Sequence, residues 1–186
     1  DTSGNAKFHW DAADERLGIG TSSPSAPISI SGSAFNPAAG GYATGGIDLQ
    51  GATAGNGNYT AGLGFRMGTR QSTAIITGVQ DTTDSDRIGL AFFTNPDGSG
   101  ATAAEEALRI DSSGNLLVGT TSSSSNTAGI KLSSAGTASF VRSGVQPIYA
   151  NRLTSDGDIA VFAKDGAPVG SIGSYYGDMK IGTGDT

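Results

Sequence analysis

The apolar residues of this chain alternate with polar residues or glycine over short stretches and never form a long run. Alternation with a period of two places every second side chain on the same face of a strand, whereas an amphipathic helix needs apolar residues three or four positions apart. The stretch GLGFRMG at 62–68 shows the pattern, with Leu63, Phe65 and Met67 on one face. The pattern predicts an all-β fold, with further strands at 46–50, 87–93 and 149–153.

Two short segments carry the residues of tight hairpin turns. Asp165-Gly166 separates IAVFA from VGSIG, and NPDGSG at 95–100 follows AFFT. The segment ATAAEEALRI at 101–110 has the composition of a helix, but it is short and continues into a strand-like phrase. We therefore predict a loop that contains Glu105 and Glu106, followed by a strand.

Two parts of the chain repeat the same order of elements. RLGIGTSS at 16–23 corresponds to NLLVGTTS at 115–122, about 100 residues later. Each is preceded by a strand-like phrase that ends in Asp, and each is followed by a Ser-rich connector and a short alternating strand. We therefore predict tandem small antiparallel β modules: residues 1–24 end a preceding repeat, 25–123 form the first module, and 124–186 form a second, incomplete module.

Glycine contributes no side chain to a core, and it accounts for 30 of the 186 residues. That is about twice its average usage. With apolar residues in short groups only, one chain would bury too little apolar surface to offset the conformational entropy lost on folding. We therefore expect each module to complete its core with a neighbouring module or a partner chain.

The charge pattern excludes several classes of partner. The net charge is −6 and only 15% of the residues are charged, so the chain lacks the clustered Lys and Arg needed for nucleic acid or an anionic membrane surface. There is no cysteine, which rules out disulfides and thiolate–metal sites. No apolar stretch reaches the roughly 18 residues of a membrane-spanning helix.

Candidate catalytic groups are few. His9 is the only histidine, and alternation places it with Lys7 and Asp11 on one face of a strand. No nucleophile-elbow motif accompanies it, and no carboxylate pair falls on neighbouring predicted strands as glycoside hydrolysis requires. The acidic segments 81–86 and 155–158 could bind calcium, but ordinary solvated turns are the favoured interpretation. We predict no catalytic residue, no metal site and no cofactor.

Exposed aromatic side chains can stack on sugar rings, and Trp10, Tyr175 and Tyr176 are the candidates for glycan contact. Trp10 alternates with Phe8, which favours burial of Trp10 in a core. Adjacent strand residues face opposite ways, so one tyrosine of the pair should face solvent or a partner chain.

The phrases ALRIDSSGNLLVGTTSS at 107–123 and DERLGIGTSSPS at 14–25 resemble the repeated motif of bacteriophage tail fibres. The stretch 149–186 is similar to the fibre segment that precedes a C-terminal intramolecular chaperone domain. The resemblance implies a homotrimer of β modules in the virion, outside the cell, in contact with other tail proteins and with a host-surface glycan. It transfers no catalytic residue to this chain, and it leads us to expect a piece of a longer polypeptide.

We therefore predict a structural component of a tail fibre that contributes to host attachment and is not an enzyme. The first alternative is a monomeric carbohydrate-binding β-sandwich module. The second is a polysaccharide-degrading tail spike, which the absence of regular repeats of about 20–25 residues disfavours.

Overall fold

The computed structural model describes residues 7–31, 47–51, 55–66, 74–96 and 103–183. These ranges contain strands, turns and irregular segments but no helix. The prediction of an all-β fold is therefore confirmed. The chain divides into two compact units, residues 1–88 and 89–186. The predicted module boundaries at 24/25 and 123/124 stay a prediction.

Three strands near the start of the chain form a small sheet in the order β1-β2-β3. β1 is antiparallel to β2, whereas β2 and β3 are parallel. The Oδ1 atom of Asp11 accepts a hydrogen bond from the Ala13 N–H at 3.0 Å in the turn between the first two strands. The strands are β1 (Phe8–Asp11), β2 (Arg16–Ile19) and β3 (Ile28–Ile30).

The next seven strands follow one another across a single meander, in the order β4 to β10. Each ladder between β6 and β10 is antiparallel, as is the ladder between β4 and β5. The strands are β4 (Tyr59–Phe65), β5 (Ala74–Gln80), β6 (Ile88–Thr94), β7 (Glu105–Ile110), β8 (Leu116–Val118), β9 (Gly129–Leu132) and β10 (Ala138–Val141).

The last three strands form an antiparallel sheet in the order β11-β12-β13. They are β11 (Gly157–Lys164), β12 (Ala167–Tyr175) and β13 (Asp178–Thr183). The predicted hairpin at Asp165-Gly166 is confirmed: the two residues have φ angles of 51° and 83°, and two consecutive positive φ angles characterise the type I′ turn that suits a twisted hairpin.

The two segments that share the repeated motif have the same kind of hairpin but differ in the third strand. Asp11 is the last residue of β1, and Asp111 comes directly after β7. In both, the Oδ1 atom accepts a hydrogen bond at 3.0 Å from the N–H two residues on, that of Ala13 or Ser113. However, β9 is antiparallel to β8, whereas β3 is parallel to β2. The Ser-rich connector after β8 therefore reverses the direction of the chain between two adjacent strands, whereas the connector after β2 returns the chain in the same direction.

Two predicted strands are absent from the structure. Residues 47–50 and 149–153 lie within described ranges and form no strand. Alternation was present in both, but a strand also requires a partner for its backbone N–H and C=O groups. In the second segment the side chain of Arg152 instead fixes a local turn, because its Nε atom donates to the Ser155 carbonyl at 2.9 Å.

The prediction of a loop at Glu105 and Glu106 was also wrong, since both residues belong to β7. A strand beginning there pairs Thr94 with Glu105 and Phe93 with Glu106. Residues 97–100 of the expected turn at 95–100 and the position of Met67 lie outside the described residues.

Little of the apolar side-chain surface is buried. In the described part of the chain the buried hydrophobic residues are Val79, Ala91 and Leu117, at 0–1% exposure, whereas more than twenty large hydrophobic side chains are at least 38% exposed. A monomeric globular domain normally has the opposite balance. Many of these exposed side chains lie together on particular sheet faces.

Candidate functional site

Strands β6 to β10 carry an apolar face made of two rows that run across the sheet. Residues directly opposite each other in a ladder share a face, and so do residues two positions apart along a strand. The ladder registers therefore place two rows of apolar residues side by side, and together these rows are the apolar face. One row consists of Leu90, Ile110, Leu116, Leu132 and Ala138, and the other consists of Phe92, Leu108, Val118, Ile130 and Phe140.

This apolar face is open in the single chain. Leu90, Ile110, Ile130, Leu132 and Phe140 are all 39–42% exposed. The exposed apolar residues adjoin one another across the sheet, unlike the singly scattered hydrophobic residues that are normal on a protein surface.

The small sheet of the first unit has the same property. Phe8, Ile19 and Ile30 form one cross-strand row, and Trp10, Leu17 and Ile28 form the next. Phe8 is 73% exposed and Trp10 is 57% exposed. The expectation that Trp10 is buried in a core was therefore wrong, because the row that contains it has no covering layer within the described part of the chain.

The opposite face of the β6–β10 sheet carries a row in which charged residues are buried. Ala91, Arg109, Leu117 and Lys131 lie opposite one another in successive strands, and Arg109 and Lys131 are 5% and 4% exposed. Arg109 is paired: its Nε and Nη2 atoms contact the two carboxylate oxygens of Glu106 at 2.5 and 2.6 Å. Buried charges require such pairing, because the low dielectric of the interior penalises an isolated ion.

Lys131 has a different environment. Its Nζ atom donates to the Thr127 carbonyl at 2.5 Å, and no carboxylate pairs with it in the described part of the chain. Lys131 lines a pocket of about 370 Å³ whose other walls include the hydroxyl side chains Ser123, Ser125, Ser133, Thr137 and Ser139.

The turn between β12 and β13 presents two aromatic rings. The ring centroids of Tyr175 and Tyr176 are 4.4 Å apart with an interplanar angle of 72°, and the residues are 58% and 82% exposed. Adjacent strand residues would face opposite ways, but Tyr176 lies in the turn with a φ of 51°. Both rings are therefore available to solvent at the same hairpin tip.

Asp156 supports this tip. Its Oδ2 atom accepts a hydrogen bond from the Tyr176 N–H at 2.7 Å. A hydrogen bond from the Ser174 side chain, followed by those from the Tyr176 and Gly177 N–H groups, lowers the pKa of the Asp156 carboxyl below its ordinary value of 3.8. Hydrogen bonds to a carboxylate favour its charged form, which is why the pKa falls.

The predicted site residues are thus only partly brought together. Tyr175 and Tyr176 are adjacent at one tip, whereas Trp10 belongs to the other unit. His9 is half-buried opposite Gly18 in the β1–β2 ladder. Within the described ranges, no cluster of three or more His, Asp or Glu side chains is placed to hold a metal ion.

Sequence reasoning did not single out Arg109 or Lys131, and it placed Glu106 in a loop rather than in β7. For Lys131 a signal was present: it lies between Ile130 and Leu132 in a predicted strand, which places its charge on the face opposite the apolar one. However, this face is covered only because of the path that the connector after β8 takes, and no local sequence pattern specifies that path.

Comparison with protein-family models, with curated proteins and with solved structures found no match for this chain. In the part of the chain that the structure describes, no helix is long and apolar enough to cross a membrane.

Proposed function

We propose that this chain is a structural component of a tail-fibre-like homotrimer and contributes to attachment to a host surface. The observation that carries the proposal is the open apolar face of strands β6 to β10, with Ile110, Ile130 and Leu132 each about two-fifths exposed. A second copy of the chain has the matching uncharged surface, so packing of these faces would cover the apolar residues in every chain.

The energetic scale supports association. Complete burial of a Leu, Ile or Phe side chain contributes about 1.5–3 kcal/mol, so covering the exposed two-fifths of five such residues contributes about 3–6 kcal/mol per chain. This alone is comparable with the lower part of the association cost, about 4–15 kcal/mol. Coverage of the β1–β3 face, where Phe8 and Trp10 are more than half exposed, would add to it.

We infer both the number of chains, three, and the attachment role from the resemblance of residues 14–25 and 107–123 to tail fibres. Three identical chains present three copies of any contact residue, so weak contacts combine into firm attachment when the receptor sites can be reached together. The exposed Tyr175–Tyr176 pair is the contact that we assign to a glycan, because sugar rings stack on aromatic faces.

The exposed tyrosine pair also favours a second candidate, a monomeric carbohydrate-binding module. Such a module would use the same hairpin tip without association of chains. The two candidates differ in the state of the chain in solution and in the fate of the apolar face.

Light scattering over a dilution series distinguishes them. The fibre proposal predicts a mass near three times 18.5 kDa and a thermal transition that depends on concentration. Ile130→Asp should abolish the trimer, because it buries a charge in the apolar face. Ala135→Asp, in the exposed turn between β9 and β10, is the matched control and should remain trimeric. A cooperatively folded monomer of the unaltered chain would contradict the proposal and favour the carbohydrate-binding module.

A further inference from the structure

The two buried cations on the covered face of the β6–β10 sheet differ in one respect. Arg109 has a bidentate carboxylate partner in Glu106, whereas Lys131 is equally buried and has only the carbonyl of Thr127. An ammonium group has three donors. A buried charge without a counter-ion is costly, so the position of Lys131 calls for an anion that the described chain does not supply.

The pocket beside Lys131 has the size and lining of a small-molecule site. Its volume of about 370 Å³ lies at the lower end of the range for ligand pockets, roughly 300–1,000 Å³. The hydroxyls of Ser123, Ser125, Thr137 and Ser139 line it, and none of the four donates or accepts a side-chain hydrogen bond within the described chain. They can therefore serve a ligand.

These features together specify the ligand chemistry. The ammonium requires a carboxylate or a similar anion, and a ring of unused hydroxyls suits a ligand with several hydroxyls of its own. A neutral sugar would leave the charge unpaired, and a simple anion would leave the hydroxyls unused. We propose that the pocket lined by Lys131, Ser123, Ser125, Thr137 and Ser139 binds a carboxylated monosaccharide unit, a hexuronate.

The site goes beyond the proposed fibre role, and the lining residues that define it are supplied by a single chain. If fibres do attach to surface glycans, the pocket would select acidic ones. The tyrosine pair at the β12–β13 tip would provide a separate contact with no preference for charge.

Isothermal titration with sodium glucuronate tests the site, with glucose, acetate and inorganic phosphate as comparison ligands. We expect saturable binding of glucuronate and binding of the other three weaker by about tenfold or more. Glucose lacks the negative charge that Lys131 requires, and acetate and phosphate lack the sugar hydroxyls that the serine and threonine side chains would bind. Equal binding of acetate or phosphate would show a site for any anion, and equal binding of glucose would show that Lys131 plays no part; either result would overturn the proposal. Absence of glucuronate binding would overturn it as well.

Lys131→Met keeps an unbranched side chain of similar length and removes its charge, and it should weaken glucuronate binding by about tenfold or more. Lys164→Met, at an exposed lysine in β11, is the matched control and should bind as the unaltered chain does. If circular dichroism shows that Lys131→Met does not fold, Ser139→Val takes its place, and unchanged affinity in that variant would overturn the proposal. Light scattering on the same samples reports the oligomer separately.

Discussion

Glu106 and Arg109 lie three positions apart in one strand and yet form a bidentate ion pair, with N–O distances of 2.5 and 2.6 Å. In a regular strand, residues separated by three face opposite sides of the sheet. The register against β6 shifts between Phe92, which is opposite Leu108, and Phe93, which is opposite Glu106. Ala107 is the extra residue of this β-bulge, and the bulge returns Glu106 to the face that carries Arg109.

Replacement of Glu106 by Gln should therefore destabilise the chain strongly. Both side chains of the pair are less than 10% exposed, and removal of one partner from a buried pair costs about 3–5 kcal/mol because the other charge is left unpaired. Asp165→Asn breaks the exposed Lys164–Asp165 pair and should cost less than about 1 kcal/mol. Urea denaturation measures the free energy of unfolding of both variants. Similar losses of stability in the two variants would contradict burial of the Glu106–Arg109 pair as the cause.

Gly129 occupies a position at which only glycine fits. Its φ is 133°, and a Cβ atom there would lie 2.6 Å from Cγ2 of Thr120 and 3.0 Å from the Val118 carbonyl oxygen. We expect Gly129→Ala to lose about 2–3 kcal/mol through backbone strain and steric overlap.

Gly182→Ala is the control for this substitution. A Cβ atom at Gly182 would make only ordinary contacts, the nearest being Ser171 Oγ at 3.5 Å, so its effect on urea denaturation should stay within about 0.5 kcal/mol. A tolerated Gly129→Ala together with a damaging Gly182→Ala would reverse the expected order and show that the path of the chain into β9 differs.

The β-strand character of the chain and its turns could be predicted from the sequence, because both depend on local patterns. The Asp165-Gly166 hairpin and the strand at Phe8–Asp11 follow directly from turn chemistry and alternation. The bulge at Ala107 and the exposure of Trp10 do not, since both depend on how neighbouring strands pair and what covers them. Lys131 was missed for the same reason: alternation places it on a face, but only the folded connector after β8 makes that face buried.

Asp156 should make the β12–β13 tip sensitive to acid. Because hydrogen bonds from Ser174 and Tyr176 lower its pKa, its contribution to stability is present above the ordinary value of 3.8 and is lost as the pH falls through the lower, folded-state pKa. NMR titration of the Asp156 carboxyl should give a pKa below 3.8, and the Tyr176 amide signal should shift over the same range. Asp156→Asn should abolish that shift, whereas Asp178→Asn should preserve it; a shift that persists in Asp156→Asn would show that another group causes it.

Tyr176 tests whether the tip is built for contact or for stability. Tyr176 and Gly177 have φ angles of 51° and 83°, the same values as Asp165 and Gly166 in the preceding hairpin. Asn-Gly is the preferred pair for such a turn, so Tyr176→Asn should stabilise the chain by about 0.5–1 kcal/mol, because Asn tolerates a positive φ better than Tyr does. Asp165→Asn, at the matched position, should change stability by less than that because Asp already tolerates the conformation.

Thermal denaturation measures the change in stability, and a glycan array measures the change in glycan binding. We expect Tyr176→Asn to weaken glycan binding and Asp165→Asn to leave it unchanged. If Tyr176→Asn raises stability and leaves glycan binding intact, the tyrosine pair is not the contact surface.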